Sequence, residues 1–285
     1  MIQRLCIIGL GSIGGSLARA LRAADACAEI VGTDRDPVQL HRALELGVID
    51  RQELDVAQAV SGADMVVVAV PVGAMEGVFR AIAPSLATNA VFTDVGSTKA
   101  SVVLSANAVW GEPPENFVPG HPIAGTEQSG IDAANGELFQ GRRVILTPRA
   151  QTRPDAVERV RGMWVAAGAE VSEMEVRHHD EVLAATSHLP HLLAFNLVDT
   201  LAGTEEQEEI FQYAAGGFRD FTRIASSDPV MWRDICLANQ GPLLDALAKF
   251  STNLAELAKA IGQGDEEYIL AVLRRAKAAR DRFCG

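Results

Sequence analysis

Short apolar runs alternate with helix-forming stretches along the first half of the chain. Runs rich in Val, Ile and Leu lie at residues 5–9, 29–33, 64–70, 90–94 and 143–147. They show little alternation between apolar and polar positions, which indicates strands that are covered on both faces. Helical patterns at residues 16–24 and 37–46 separate the first of these strands. Strands separated by helices predict right-handed βαβ units, and therefore a parallel sheet with helices on both sides.

The pattern changes after about residue 173. No strand-like run follows residue 176, and helical patterns occupy residues 179–201, 205–213, 230–238, 242–260 and 266–283. We therefore predict an α/β domain over residues 1–173, followed by an all-helical domain over residues 174–285. The segment at residues 183–201 is apolar on every side and needs cover all round. Because a second subunit would supply part of that cover, we expect a homodimer through the helical domain.

A glycine-rich turn follows the first predicted strand. Gly9, Gly11 and Gly14 form the pattern G-x-G-x-x-G, which also opens a predicted helix. In this pattern the first glycine makes the tight turn, the second lets the backbone approach a pyrophosphate, and the third lets the helix pack closely on the strand. Ser12 and Ile13 lie at the positive end of the helix dipole, where phosphate groups bind. The turn predicts a dinucleotide cofactor on a Rossmann-type sheet domain.

A carboxylate at the end of the second predicted strand favours NAD as that cofactor. Asp34 lies twenty residues after the last glycine of the turn, at the end of the second predicted strand. A carboxylate there accepts hydrogen bonds from the adenosine ribose and repels a 2′-phosphate. The neighbouring Arg35 leaves NADP as an alternative, although a solvated loop residue is the simpler interpretation. Val70 and Pro71 end another strand, where the chain would pass beneath the nicotinamide half of the cofactor.

Composition and charge exclude several classes of partner. The 285 residues include 25 Lys and Arg against 37 Asp and Glu, and the formal net charge of −12 argues against nucleic acid or an anionic membrane. No apolar run reaches the ~18 residues of a membrane span. The four cysteines are scattered, without a CxxC pair. That usage is typical of a reducing compartment, so we expect a cytoplasmic protein without disulfides or a zinc site.

Four further segments carry polar side chains in a specific order. They are DVGSTK at residues 94–99, GHPIAGTEQSG at 120–130, TSHLPH at 186–191 and GGFRDFTRIASSDPVMW at 216–232. Together with the glycine turn, this series closely resembles the prephenate/arogenate dehydrogenases of tyrosine biosynthesis, and the resemblance covers nearly the whole chain. It implies oxidative decarboxylation with NAD(P)+: prephenate would give 4-hydroxyphenylpyruvate and arogenate would give tyrosine, with release of CO2.

The resemblance implies roles for individual residues. His121 matches the catalytic histidine of the family, which takes the proton of the ring hydroxyl because a neutral imidazole with a pKa of about 6.5 is a base at neutral pH. Ser97 would hydrogen-bond the same hydroxyl or orient His121. Arg223 matches the arginine that holds a substrate carboxylate in a bidentate fork. His188 and His191 would line the other end of the pocket.

Three more residues are expected to contact the substrate. Thr126 and Glu127 follow the catalytic histidine closely, and Glu127 could pair with Arg223. Asp220 precedes Arg223 by three residues. It would favour the ammonium group of arogenate if it points inward, or it would be neutralised by Arg219 or Arg223. We therefore expect both substrates to be accepted, arogenate at least as well as prephenate.

The first long helical segment allows two other interpretations. His188 and His191 could be metal ligands, but no HExxH motif or carboxylate partner completes such a site, and we expect no metal. At the start of the segment, His178, His179 and Asp180 are typical of a first helical turn. Asp180 suits the positive end of the helix dipole there, and capping is its expected role.

Two other functions fit the same architecture. β-Hydroxyacid and imine-reducing dehydrogenases lack the GHPIAGTE and SHLPH segments and usually place a catalytic lysine on the first long helix, whereas residues 178–202 contain none. A noncatalytic NAD sensor would keep the glycines but need not keep His121, Ser97 and Arg223 together. We expect a monofunctional enzyme, without the chorismate mutase or ACT domain of some relatives, and any tyrosine inhibition would act at the active site.

Overall fold

The computed structural model describes residues 1–125 and 128–283, which divide into two compact units, one ending at Gln240 and the other beginning at Gly241. The strands of the described chain are β1 (Ile2–Ile8), β2 (Cys27–Thr33), β3 (Arg51–Gln52), β4 (Met65–Val68), β5 (Val91–Asp94), β6 (Phe117–Val118), β7 (Gly120–Pro122), β8 (Arg143–Leu146) and β9 (Glu170–Glu173).

The α-helices of the described residues are α1 (Ser12–Ala23), α2 (Pro37–Glu45), α3 (Val56–Val60), α4 (Met75–Ile82), α5 (Ala100–Trp110), α6 (Pro154–Ala166), α7 (Val176–Leu183), α8 (Leu189–Ala202), α9 (Gln207–Gln212), α10 (Gly216–Thr222), α11 (Pro229–Ala238), α12 (Gln240–Gln263) and α13 (Glu266–Phe283). None of them is both long enough and apolar enough to cross a membrane.

Six parallel strands form the main sheet, in the order β3-β2-β1-β4-β5-β6. This is the doubly wound order of a dinucleotide-binding domain, in which ligands bind at the carboxyl ends of the strands where the order reverses, here between β1 and β4. After β9 the described chain is helical throughout. The predicted fold class, a Rossmann-type sheet domain followed by a helical region, is confirmed.

The sheet is buried on both faces because its strands carry apolar side chains at consecutive positions. In β1, Leu5 and Ile7 belong to one buried cluster, while Cys6 and Ile8 belong to the cluster on the opposite face. Trp164 of α6 lies within the first cluster. The near-continuous apolar runs of the sequence therefore have the physical cause expected of a parallel sheet.

The run at residues 143–147 does not join the main sheet. It forms β8, which pairs antiparallel with β7 and parallel with β9 in a separate three-stranded sheet. The expectation that it extends the large parallel sheet is therefore wrong. An apolar run shows that a strand is covered, but the neighbour with which it pairs depends on tertiary packing. In this second sheet His121 lies on a strand, opposite Ile145.

The predicted helix at residues 179–201 is also divided. It consists of α7, a π-helical segment Ala184–His188, and α8. Pro190 lies in the first turn of α8, where it lacks an N–H and its ring would collide with the carbonyl of Thr186 in a continuous α-helix. The π segment absorbs this conflict, and His188 lies at its end. Such segments are frequent at functional sites.

The second unit is a hairpin of α12 and α13. The chain reverses at Gly264, which has a φ of +65°, and the hydroxyl of Tyr268 donates a hydrogen bond of 3.1 Å to Glu256 Oε2. Apolar side chains are exposed on both helices, among them Leu254 of α12 and Leu273 of α13.

The glycine turn gives a stability prediction. A methyl group at Gly14 would overlap the carbonyl oxygen of Gly9 and lie 3.1 Å from Ala69 Cβ, whereas a methyl group at Gly11 would meet nothing within 4 Å. We expect Gly14→Ala to lower the free energy of unfolding by about 1–3 kcal/mol through overpacking. Gly11→Ala, whose backbone is extended, serves as the matched control and should unfold like the wild type. Urea unfolding followed by circular dichroism measures both, and equal losses in the two variants would contradict the packing explanation.

Candidate active site

The amino end of α1 has the features of a phosphate-binding turn. Gly9 follows β1 with a φ of +95°, a left-handed conformation that glycine adopts without strain. Gly11 caps α1 without a side-chain hydrogen bond, and open space lies where its side chain would be. The first turn of α1, which includes Ser12 and Ile13, therefore presents its positive end to that space. These features fit a dinucleotide pyrophosphate.

Asp34 lies directly beside the glycine turn. Its Oδ2 accepts a hydrogen bond of 2.7 Å from the backbone N–H of Leu10, and its Oδ1 accepts one of 2.9 Å from the N–H of Asp36. These bonds orient the carboxylate at the end of β2, and each oxygen keeps acceptor capacity for ribose hydroxyls. Arg35 beside it is exposed. Val70, half-buried, and Pro71, exposed, follow β4 at the same edge of the sheet.

His121 lies at one end of a buried chain of side-chain hydrogen bonds. Its Nδ1 is 2.9 Å from Nε2 of His179, and Nδ1 of His179 is 2.8 Å from Oδ1 of Asp180. The three residues are 8%, 0% and 2% exposed, respectively. Sequence reasoning identified His121 but assigned its two partners to a helix start, so it missed this connection between β7 and α7.

Asp180 does not cap its own helix, and that expectation is wrong. The cap of α7 is Glu175, which accepts a hydrogen bond of 2.9 Å from the N–H of His178. Asp180 lies a full turn inside α7, beyond reach of the free amides at its start. Instead its two oxygens accept hydrogen bonds from the backbone N–H groups of Lys99, at 2.8 Å, and Ala100, at 2.9 Å. It thereby caps α5, a helix that lies far away in sequence.

A buried ion pair holds the strand that carries His121. Lys99 is fully buried, forms an ion pair with Asp94, and donates a hydrogen bond of 2.6 Å to the carbonyl oxygen of Gly120. Asp94 accepts further hydrogen bonds from the N–H groups of Gly96, at 2.7 Å, and Gly120, at 3.2 Å. Sequence reasoning gave Lys99 no role. The available signal was a charged pair directly after a buried strand, where neither charge could remain unpaired.

Burial keeps His121 and His179 neutral. It lowers the pKa of His121 well below the ordinary value, and repulsion from the protonated forms of His179, Lys99 and His188 lowers it further. Burial also lowers the pKa of His179, although its bond to Asp180 opposes the change. Burial alone would raise the pKa of Asp180, but its hydrogen bonds from His179 and the α5 amides outweigh that and lower it. At neutral pH, Asp180 is therefore ionised while both histidines are uncharged.

Two more histidines lie against Trp232. His188 has its Nδ1 3.0 Å from the amide nitrogen of Asn239, and burial lowers its pKa to about 4. Its buried Nε2 has no hydrogen-bond partner among the described residues. His191 bonds through Nδ1 to the carbonyl oxygen of Ser187 at 2.9 Å and stacks on Trp232 with ring centroids 3.9 Å apart. Sequence reasoning left Trp232 outside the site.

The remaining predicted residues lie in several places. Ser97 is half-buried between β5 and α5, and across residues 1–125 and 128–283 no hydrogen bond joins it to His121. Asp220, in α10, and Arg223, at the start of the 3₁₀ turn that follows, are exposed. Both α10 and that turn pack against α8, which carries His191. Thr126 and Glu127 lie outside the described residues. The part of the chain that the structure describes contains no cluster of three His, Cys, Asp or Glu side chains arranged as metal ligands.

Comparison with known proteins identifies the family. Two models match the chain: the nucleotide-binding domain of prephenate dehydrogenase over residues 17–173 and the dimerization domain of prephenate dehydrogenase over residues 175–275. A cyclohexadienyl dehydrogenase from Zymomonas mobilis is 40% identical, over 98% of this chain and 96% of its own length.

Two solved structures share the whole fold. Prephenate dehydrogenase from Aquifex aeolicus, in complex with hydroxyphenyl propionate and NAD+, has a TM-score of 0.92 and 37% identity and covers 99% of this chain and 98% of its own. Arogenate dehydrogenase from Synechocystis has a TM-score of 0.82 and 27% identity, with 99% and 100% coverage. The chain therefore belongs to the prephenate dehydrogenase family, and it is an oxidoreductase of that family with a nicotinamide cofactor.

Proposed function

We propose that this protein oxidatively decarboxylates both prephenate and arogenate, with NAD+ preferred over NADP+ and His121 as the base. The observation that carries the proposal is the position of His121. It is buried and neutral. The N–H of Gly120 donates a hydrogen bond to Asp94, which places the start of the His121 strand, β7, beside the carboxyl end of β5. The glycine turn follows β1 at the same edge of the sheet, and ligands of this fold bind along that edge.

The reaction requires a base, a hydride acceptor and an anchor for the substrate. The nicotinamide cofactor, when bound, supplies the hydride acceptor. His121 takes the proton of the ring hydroxyl, so that the carbon that loses hydride becomes a carbonyl carbon. The ring carboxylate then leaves as CO2, and its bonding electrons pass through the ring to the carbonyl oxygen, which takes up a proton, so that the ring becomes an aromatic phenol. Arg223 holds a substrate carboxylate through two parallel hydrogen bonds, a geometry that a guanidinium group provides.

Other residues complete the proposed site. Ser97 orients the hydroxyl or His121. The proposed substrate contacts are His188, His191, Thr126, Glu127 and Asp220. The proposed cofactor contacts are Gly9, Gly11, Ser12, Ile13, Gly14, Asp34, Arg35, Val70 and Pro71.

The relatives support the breadth of the proposed substrates and the choice of cofactor. Proteins similar to this chain are named for cyclohexadienyl, prephenate and arogenate substrates, and the Aquifex structure contains NAD+. The orientation of Asp34 by two backbone amides also favours an unphosphorylated ribose. We further propose a functional division at residues 173 and 174 and a homodimer through the helical part, supported by the matching dimerization domain and the exposed apolar side chains of α12 and α13.

The base assignment predicts a selective loss of turnover. We expect the wild-type protein to reduce NAD+ with either substrate, and more slowly with NADP+. His121→Asn should lower kcat by about 10²- to 10⁴-fold, because general-base catalysis contributes on that order. Cofactor affinity should stay unchanged. Absorbance of the reduced cofactor measures the rates, and His178→Asn, at an exposed position of α7, is the control. Wild-type turnover that survives in His121→Asn would remove His121 as the base.

Burial of His121 predicts where activity is lost in acid. The base must be unprotonated, and its lowered pKa keeps it so at pH values below the ordinary histidine value of about 6.5. We expect kcat/KM to stay level as the pH falls through that value and to decline only below it. Circular dichroism at each pH distinguishes protonation of the base from unfolding, because histidines buried in the neutral form destabilise the fold as the pH falls. A decline centred at or above pH ~6.5 in folded protein would contradict the assignment.

A further inference from the structure

We propose that His179 and Asp180 are positioning residues that hold His121 in a single tautomer, with its proton on Nδ1 and its Nε2 open to receive the substrate proton. The proposal deepens the proposed function and rests on His121 as the base. It is carried by the order of donors and acceptors along the buried chain, starting at Asp180.

Asp180 determines the tautomer of His179. Its Oδ1 and Oδ2 already accept hydrogen bonds from the backbone N–H groups of Lys99 and Ala100 at the start of α5. Those bonds lower the pKa of its carboxyl group and keep it ionised. An ionised carboxylate has only acceptors to offer, so Nδ1 of His179, 2.8 Å from Oδ1, must carry the proton.

The tautomer of His179 determines that of His121. Burial keeps His179 neutral, and a neutral imidazole has one N–H and one lone pair. Because the N–H of His179 is used on Asp180, its Nε2 can only accept. Nδ1 of His121, 2.9 Å away, must then be the donor. Since neutral His121 also has one N–H and one lone pair, the lone pair is on its Nε2. A neutral histidine in water favours the opposite tautomer, so the protein imposes this one.

The geometry also prepares the site for the charge that forms. When the substrate O–H bond breaks, a new N–H bond forms at Nε2 and His121 becomes an imidazolium. The hydrogen bond from its Nδ1–H to His179 strengthens, and the negative charge of Asp180, on the far side of His179, stabilises the new positive charge. Lys99 acts in the other direction because it is a cation, but its charge is paired with Asp94. This is the relation between histidine and carboxylate in the catalytic triads of serine hydrolases, lengthened by one imidazole.

Hydrogen bonds from neighbouring residues hold His121, His179 and Asp180 in place. Lys99 donates one hydrogen bond from its ammonium group to the carbonyl oxygen of Gly120 and another from its backbone N–H to Asp180. A single residue therefore positions both the strand that precedes His121 and the carboxylate that orders the histidines. In addition, Asn239 donates a hydrogen bond of 2.8 Å to the backbone carbonyl of Asp180.

Three variants separate the positioning role from a merely structural one. His179→Phe keeps a ring of similar size but removes the acceptor, and His179→Gln places an amide oxygen near the position of Nε2. His178→Gln, at the exposed neighbouring position, is the matched control. We expect His179→Phe to lower kcat by about 10²-fold with little change in KM, since the wrong tautomer cannot accept the proton. His179→Gln should recover most of that loss, and the control should match the wild type.

Nitrogen-15 NMR of the histidine rings measures the tautomer directly in the wild-type protein. His121→Asn identifies the signal of His121 by its disappearance. We expect the proton of His121 on Nδ1, and a shift toward the Nε2–H form in His179→Phe. A wild-type His121 protonated on Nε2 would overturn the proposal, even if His179→Phe fails to fold.

The same experiments distinguish the proposal from the function on which it rests. If His121→Asn is inactive but folded His179→Phe keeps wild-type kcat, His121 is the base and the positioning role is wrong. If His121→Asn keeps its activity, the base assignment itself is wrong. A loss in His179→Phe that His179→Gln does not recover would show that the ring is needed for packing, which also contradicts the proposal.

Discussion

The buried carboxylate of Asp180 is the interaction on which the candidate site depends. A carboxylate out of water is stable only when its oxygens are satisfied, and here two amides at the start of α5 and the ring of His179 satisfy them. The two amides lie within the sheet domain, and Asp180 lies in α7, within the helical region that follows that domain in sequence. One desolvated charge therefore joins the two parts that the sequence pattern separates.

The other buried charges near Asp180 also need partners, because they too are out of water. The segment from Asp94 to Ala100 brings a buried cation beside two buried anions, and each anion is bound by backbone amides as well. With these charges paired, the neighbouring histidines can remain neutral in a region that excludes water. Such a region suits a base that must be unprotonated before reaction and stabilised once it carries a proton.

The glycine turn combines two requirements in a few residues. Gly14 is needed because the helix approaches the backbone of Gly9 too closely for any side chain, while Gly11 has free space around it. Packing thus accounts for one glycine, and the space at the other is what the proposed phosphate site requires. The sequence predicts both roles, because they follow from local backbone geometry and from the position of the turn after a strand.

The sequence by itself determined the α/β class and the family, and it located the glycine turn and His121 that the proposed function uses, since these depend on periodicity, glycine spacing and short motifs. It did not reveal that residues 143–147 pair in a second sheet, that Pro190 interrupts the long helix through a π segment, or that Asp180 caps α5. It also missed Lys99 and the contact between His121 and His179. Those features depend on contacts between residues far apart in the chain, where burial forces each polar group to find a partner. Only the tertiary structure decides which partner that is.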